Sequence, residues 1–196
     1  LTGRLFKSLI DNKVPIHLNS TVEELIFEEG KVKGVKVSTK EGSKVIAAKC
    51  GIVLATGGFS HNPERRTKYL PIEASPFSAT SKGGTGDGLK LGESAGGGVP
   101  PDSRNNAYWS PVSKFTRPNG EVGIYPHTVT DRGKPGAMAI NENGHRFTNE
   151  ANSYHEFVFG MFKTYKTRPS TPAYLICDSQ TLYEYGLGAV KPKHIG

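Results

Sequence analysis

Between Gly144 and Phe157 the sequence reads GHRFTNEANSYHEF, a density of proton-handling and hydrogen-bonding side chains set around two phenylalanines. Tyr154 and His155 are the groups here that could move a proton. Ser153 and Glu156 have the spacing of a capping box, which predicts a helix with Phe157, Val158, Met161 and Phe162 on one face. Tyr154 then stands first after the cap, where the helix dipole favours negative charge, so the phenol is a candidate catalytic group. Its plainer alternative is packing against Phe157 and Val158 with the hydroxyl satisfied by backbone or water. His155 reads as a solvated or structural imidazole or as a residue lining a substrate pocket. Arg146 and Glu150 are expected to pair, holding a hairpin to the helix rather than doing chemistry.

Two further places could meet a ligand. GIVLATGGF reads as a buried strand ending in a Gly-Gly pair, where backbone at Ala55, Thr56, Gly57 and Gly58 comes close to a turn or to a ligand at the strand's carboxyl end. GGTGDGLKLGESAGGG places Thr85 or Asp87 as an N-cap, a short helix to about Ala95, and Gly96 as its stop. The free N–H groups at that helix start would suit a phosphate or carbonyl oxygen. Tyr108 and Trp109, in a loop-rich stretch, could wall an apolar pocket or belong to a core.

The elements that must carry these groups follow from periodicity. Leu5, Phe6, Leu9 and Ile10 recur at helical spacing, Asn12 can end that helix, and VPIHL offers a short strand. TVEELIFEEG, KVKGVKVSTKEG and SKVIAAKC alternate as a three-stranded meander with turns at Glu29-Gly30 and Glu41-Gly42, feeding the GIVLATGGF strand. AMAINENGHRF is a strand, an Asn143-Gly144 turn suited to type I′, and a second strand. PAYLICD is a strand, and QTLYEYGL a short helix that stops at Gly186.

At 196 residues the chain has room for one or two domains. With 35% hydrophobic and 22% charged residues it has ordinary globular composition, and 24 glycines and 13 prolines indicate many turns. No apolar run approaches the roughly 20 residues of a membrane span, and LTGRLFKSLIDNK carries no cleavage signal. Cys50 and Cys177 are far apart and flanked by apolar residues, which suggests buried thiols in a reducing, cytoplasmic setting and neither a disulfide framework nor a metal site. The net charge of +7 admits anion or nucleic-acid binding. Yet the cations are scattered, with short clusters at Arg65, Arg66, Lys68 and at Lys191, Lys193, and no nucleic-acid-binding signature accompanies them. The chain has no G-x-G-x-x-G after a strand, and RGKPG lacks the other residues of a P-loop.

GIVLATGGFSHN, the downstream GGTGDGLKLGESAGG, and GHRFTNE followed by AYLICD resemble, in order and spacing, the flavoprotein family of fumarate reductase and succinate dehydrogenase subunits and 3-ketosteroid dehydrogenases. The resemblance runs over essentially the whole chain. It implies a mixed α/β plus α+β fold: part of a Rossmann-like FAD-binding domain with its meander over 1–112, then a cap domain over 113–196. The family's N-terminal dinucleotide fingerprint and C-terminal return are expected in flanking sequence, leaving this portion inactive alone and its cut apolar surface prone to self-association.

Fumarate reductases of the family carry a His, an Arg and a proton-donating Arg where this chain has Tyr108, Tyr154 and Leu182. Those departures weaken a dicarboxylate substrate, whose carboxylates would lie desolvated and unpaired. Ketosteroid dehydrogenases carry a tyrosine in a similar R-F-x-N-E-x-x-x-Y arrangement. The resemblance therefore implies an apolar ketone such as a steroid, hydride passing to FAD and a proton to Tyr154; Tyr108, Trp109 and His155 are the candidates to line the substrate site. It also nominates Ala55, Thr56, Gly57, Gly58 and Asp87 beside the cofactor. A dicarboxylate reductase and a basic, non-enzymatic binding module are the alternatives.

Overall fold

The computed structural model describes residues 1–71, 74, 76–100, 107–165 and 171–193, with Tyr165 described by its backbone alone. It mixes helices with three small antiparallel sheets and divides into two compact units.

The first unit comprises Leu1–Gly57 and Asp87–Val99. Helix α1, Thr2–Asp11, ends where the Asn12 side chain and N–H both return to the Ser8 carbonyl. None of its residues is buried, so its apolar stripe of Leu5, Phe6, Leu9 and Ile10 faces outward. Strands β1 (Thr21–Glu28), β2 (Lys31–Thr39) and β3 (Gly42–Ala47) form the meander in the order β1-β2-β3. Glu29 and Gly30 both have positive φ, as a type I′ turn requires. The second turn lies one residue earlier than expected, at Lys40-Glu41, because Gly42 already pairs with Thr39. Leu25 and Val37 of the meander are buried, as is Leu91 of α3 (Asp87–Ser94), which packs on β1. As expected, α3 stops at Gly96, whose φ is +82° and whose N–H reaches the Glu93 carbonyl.

Two expected strands are absent from this unit, and two expected burials fail. VPIHL is irregular, with Leu18 76% exposed. Residues 51–59 of GIVLATGGF form no strand, and Val53 is 90% exposed. A buried strand needs neighbours to accept its hydrogen bonds, and none of the described strands pairs with this run. Cys50 is likewise exposed and Cys177 only half-buried; both are free thiols.

The second unit comprises Gly58–Gly86 and Pro100–Gly196. Helix α2 (Pro63–Tyr69), not anticipated, starts at Asn62, whose side chain accepts from the Arg65 N–H at 3.0 Å, with Pro63 at the first helical position. A second unanticipated piece is the hairpin of β4 (Val112–Thr116) and β5 (Val122–Pro126), which leads into a four-residue helix, α4 (Val129–Arg132). Strand β6 (Ala137–Ile140) pairs with β7 (Tyr174–Cys177). The strand expected after the Asn143-Gly144 turn reduces to one bridge, Ile140 to Arg146. That turn is not type I′: only Gly144 has positive φ, and the Asn141 side chain accepts from the N–H groups of Asn143 and His145 instead. Helix α5 spans Tyr154–Tyr165, and α6 spans Ser179–Tyr185 between its Asp178 cap and Gly186. Among the described residues of this unit, Ala139, Phe157 and Val158 are the buried hydrophobic side chains. Among the described residues no helix is long and apolar enough to cross a membrane.

Candidate functional site

Helix α5 begins as its sequence predicts. The Ser153 hydroxyl oxygen accepts from the Glu156 N–H at 3.2 Å, and Tyr154 is the first helical residue, 42% exposed. Beside it His155 gathers the other aromatic candidates. The Trp109 N–H donates to His155 Nδ1 at 3.2 Å, and the Tyr108 ring lies 5.9 Å from the imidazole. Phe159 meets His155 edge to face at 4.8 Å, and Trp109 meets Phe162 in the same way at 5.0 Å. Tyr108, Trp109 and His155 are thus brought together at the α5 start, one position along the chain from Tyr154. Accepting at Nδ1 puts the proton of a neutral His155 on Nε2, so its free edge is a donor. The arrangement offers an aromatic wall, a donor imidazole and an accessible phenol.

The start of α5 is also held by a polar frame that runs from exposed Arg146 to buried Glu150 and Arg132. Arg146 and Glu150 pair as expected, with Nη2 to Oε2 at 2.6 Å and Nε to Oε1 at 3.1 Å. Oε1 also accepts from the Ala139 N–H of β6 at 2.8 Å, so Glu150 fastens the α5 entry to the sheet. Burial pushes the Glu150 carboxyl up, but the Arg146 and Ala139 hydrogen bonds and the Arg146 charge outweigh it and hold the group below its ordinary value of 4.5.

The rest of the frame carries no motif in the sequence. Arg132, fully buried, donates to the carbonyl oxygens of Glu150 and Asn152, and its guanidinium lies 4.7 Å over the Phe157 ring. Burial lowers its pKa while the Asp131 and Glu150 carboxylates raise it. Next to it, Asp131 accepts from His127 Nδ1 at 2.6 Å, and His127 Nε2 meets the Ser113 hydroxyl at 2.6 Å. The order is that of a nucleophile relay. The β4–β5 register, however, commits the Ser113 N–H to the ladder opposite Tyr125, and the neighbouring cavity of about 300 Å³ is lined from the Asp131 side without Ser113. The trio is a tie between hairpin and α4. Its one trace in the sequence is the His127–Asp131 spacing of four, a helical contact distance.

The nominated cofactor residues divide between the units. Ala55, Thr56, Gly57 and Gly58 are exposed, Gly57 has a φ of +86°, and nothing stands within 4 Å of where a Cβ at Gly57 or Gly58 would lie. This is open backbone that a ligand can approach. In the first unit the Thr56 hydroxyl lies against Gly88, so no side chain fits there, and Asp87 is the exposed first residue of α3. In the second unit the Gly86 N–H reaches the Gly58 carbonyl at 3.1 Å, and the His61 N–H reaches that of Gly84 at 2.9 Å. Arg65 packs on Gly86 and Arg66 donates to the Ser60 carbonyl, so this part of the basic cluster is engaged internally. No metal-binding group of His, Cys, Asp or Glu occurs among the described residues.

Residues 1–195 match the family model described as an FAD binding domain. The chain is 35% identical to 4-oxocyclohex-2-ene-1-carboxylate 5-dehydrogenase of Sinomonas cyclohexanicum, covering 96% of this chain and 32% of that protein. It is 31% identical to 3-oxosteroid 1-dehydrogenase of Mycolicibacterium smegmatis, over 91% of this chain and 32% of that one. Among solved structures it is similar to the 3-ketosteroid delta1-dehydrogenase of Sterolibacterium denitrificans in complex with 1,4-androstadiene-3,17-dione. That match has a TM-score of 0.79 and 30% identity, and covers 97% of this chain and 34% of that one. The chain therefore spans about a third of the length of these relatives.

Proposed function

Because the chain belongs to the FAD binding domain family, we propose that it is part of an FAD-dependent dehydrogenase that desaturates the carbon-carbon bond beside a ring ketone. In this reading residues 1–112 contribute to the FAD domain and 113–196 to the cap. The observation that carries it is the setting of Tyr154: an accessible phenol at a capped helix start, followed in the chain by His155, at which Tyr108 and Trp109 gather. The relatives' names supply the substrate class, since an oxocyclohexene carboxylate and an oxosteroid are both ring ketones.

Bound FAD would supply the hydride acceptor. The open backbone at Gly57 and Gly58 and the start of α3 at Asp87 fit a cofactor approached through main-chain groups. In its ionised form Tyr154 takes the proton from the carbon next to the one that loses hydride, and the phenolate becomes a neutral phenol. Tyr108 and Trp109 cover an apolar ring, and His155 Nε2–H offers a donor to an oxygen.

The test is the full-length flavoprotein assayed with 4-oxocyclohex-2-ene-1-carboxylate and 4-androstene-3,17-dione and an electron-accepting dye. Tyr154→Phe should lower kcat by about a hundredfold or more, with flavin content unchanged. Full turnover in that variant would remove Tyr154 from the chemistry. The 196-residue chain alone should take up FAD weakly or not at all, and stoichiometric flavin capture in a titration would contradict that division of labour.

A further inference from the structure

We propose that Arg132 is a positioning residue for Tyr154: acting from α4, it clamps the main chain just ahead of α5 and so sets where the phenol stands. The inference rests on the reading of Tyr154 as proton acceptor.

Three contacts carry it. The guanidinium donates to the carbonyls of Glu150 and Asn152, which precede Tyr154, and stacks on Phe157, which follows it. All three lie within one short segment around the phenol. The first two grip main chain, so they fix the path of the backbone whatever side chains stand at 150 and 152. A guanidinium fork reaches two carbonyls at a set separation, whereas an ammonium is a single point.

The clamp is itself held. Asp131, the neighbouring residue of α4, is tied through His127 to Ser113 of β4, anchoring the helix to the hairpin. Gly133, which ends α4, lies so close to the next segment that a Cβ there would stand 3.4 Å from the Cα of Ala151. Adjacent residues of α4 thus brace the hairpin on one side and the approach to Tyr154 on the other.

Stability alone does not account for a cation in this place. Burying the guanidinium costs free energy, and its Nε remains buried without a partner. A well-packed apolar side chain in place of a buried charge is often as stable or more so. What the apolar chain would lack is the fork.

The experiment compares Arg132→Lys, Tyr154→Phe and the double variant in the full-length flavoprotein, using 4-oxocyclohex-2-ene-1-carboxylate and 4-androstene-3,17-dione as probes. Arg132→Lys should lower kcat by roughly 10- to 100-fold while KM moves less than about 3-fold, because a phenol out of place slows chemistry more than binding. The double variant should be no slower than Tyr154→Phe, since a phenol already absent cannot be misplaced. Hydrogen exchange should quicken at amides 152–157 in Arg132→Lys while the rest of α5 stays protected. Multiplicative losses in the double variant, or unchanged exchange at those amides, would overturn the proposal. If Arg132→Lys does not fold, Phe157→Leu removes the stacking face and should give the same local pattern in weaker form; unchanged exchange there overturns it equally. Full turnover in Tyr154→Phe sinks the reading of Tyr154 itself, a failure told apart because exchange reports the clamp without turnover.

Discussion

Two apolar runs expected to form strands behave differently in this chain. AMAI, Ala137–Ile140, pairs along its length with β7, and Ala139 is fully buried. GIVLATGGF is richer in strand-forming residues, yet it pairs with no described strand and leaves Val53 almost fully exposed. The difference is the partner. A strand exists where another backbone accepts its hydrogen bonds, and β-propensity supplies only a side chain that suits the pleat.

The comparison breaks most completely if the frame around β6 is removed. Glu150→Ala deprives Arg146 and the Ala139 N–H of their acceptor and should cost about 3 kcal/mol in urea unfolding. A cost below about 1 kcal/mol would mean that β6 holds without it.

The next effect is one of pH. Because the folded state depresses the Glu150 carboxyl, the unfolded chain binds its proton first as pH falls. The stabilisation is therefore complete above the group's ordinary value of 4.5 and is lost as pH drops through the lower folded value. Acid titration of stability should show this loss in the wild type and a shallower one in Glu150→Gln. Equal slopes would deny that Glu150 is the linked group.

A matched pair of substitutions sharpens the contrast between the runs. Ala139→Val should cost about 1–3 kcal/mol by overfilling a packed site, whereas Val53→Ser should change unfolding by no more than about 0.5 kcal/mol. A large cost at Val53 would show that the run is packed in solution. The smallest effect concerns association: Val53→Ser should weaken any concentration-dependent scattering of the chain, and scattering unmoved by it would place the sticky surface elsewhere.

What could be read from the residues follows the same division. Local signals succeeded: the Ser153 start of α5, the Gly186 stop of α6, the turn at Glu29-Gly30, and the Gly96 stop of α3 depend only on nearby chain. The pairing of Arg146 with Glu150 was also anticipated, from the need of each group for a partner, whereas the gathering of Tyr108 and Trp109 at His155 was not. Failures came where the outcome depended on distant partners. The strand expected at 51–59 and the burial of Cys50 required neighbours that the described residues do not provide. Arg132 escaped notice for the opposite reason: its partners are carbonyls 18 and 20 positions away, and carbonyls carry no residue signature.

The tie from Ser113 through His127 to Asp131 has one more consequence. The turn between β4 and β5 projects at Asn119 and Gly120, both exposed, while the paired strands and the tie lie behind it. Severing the peptide at that tip would cut the polypeptide without parting the hairpin, because the ladder and the tie bridge the gap. The two halves would leave a sizing column together and separate only in denaturant.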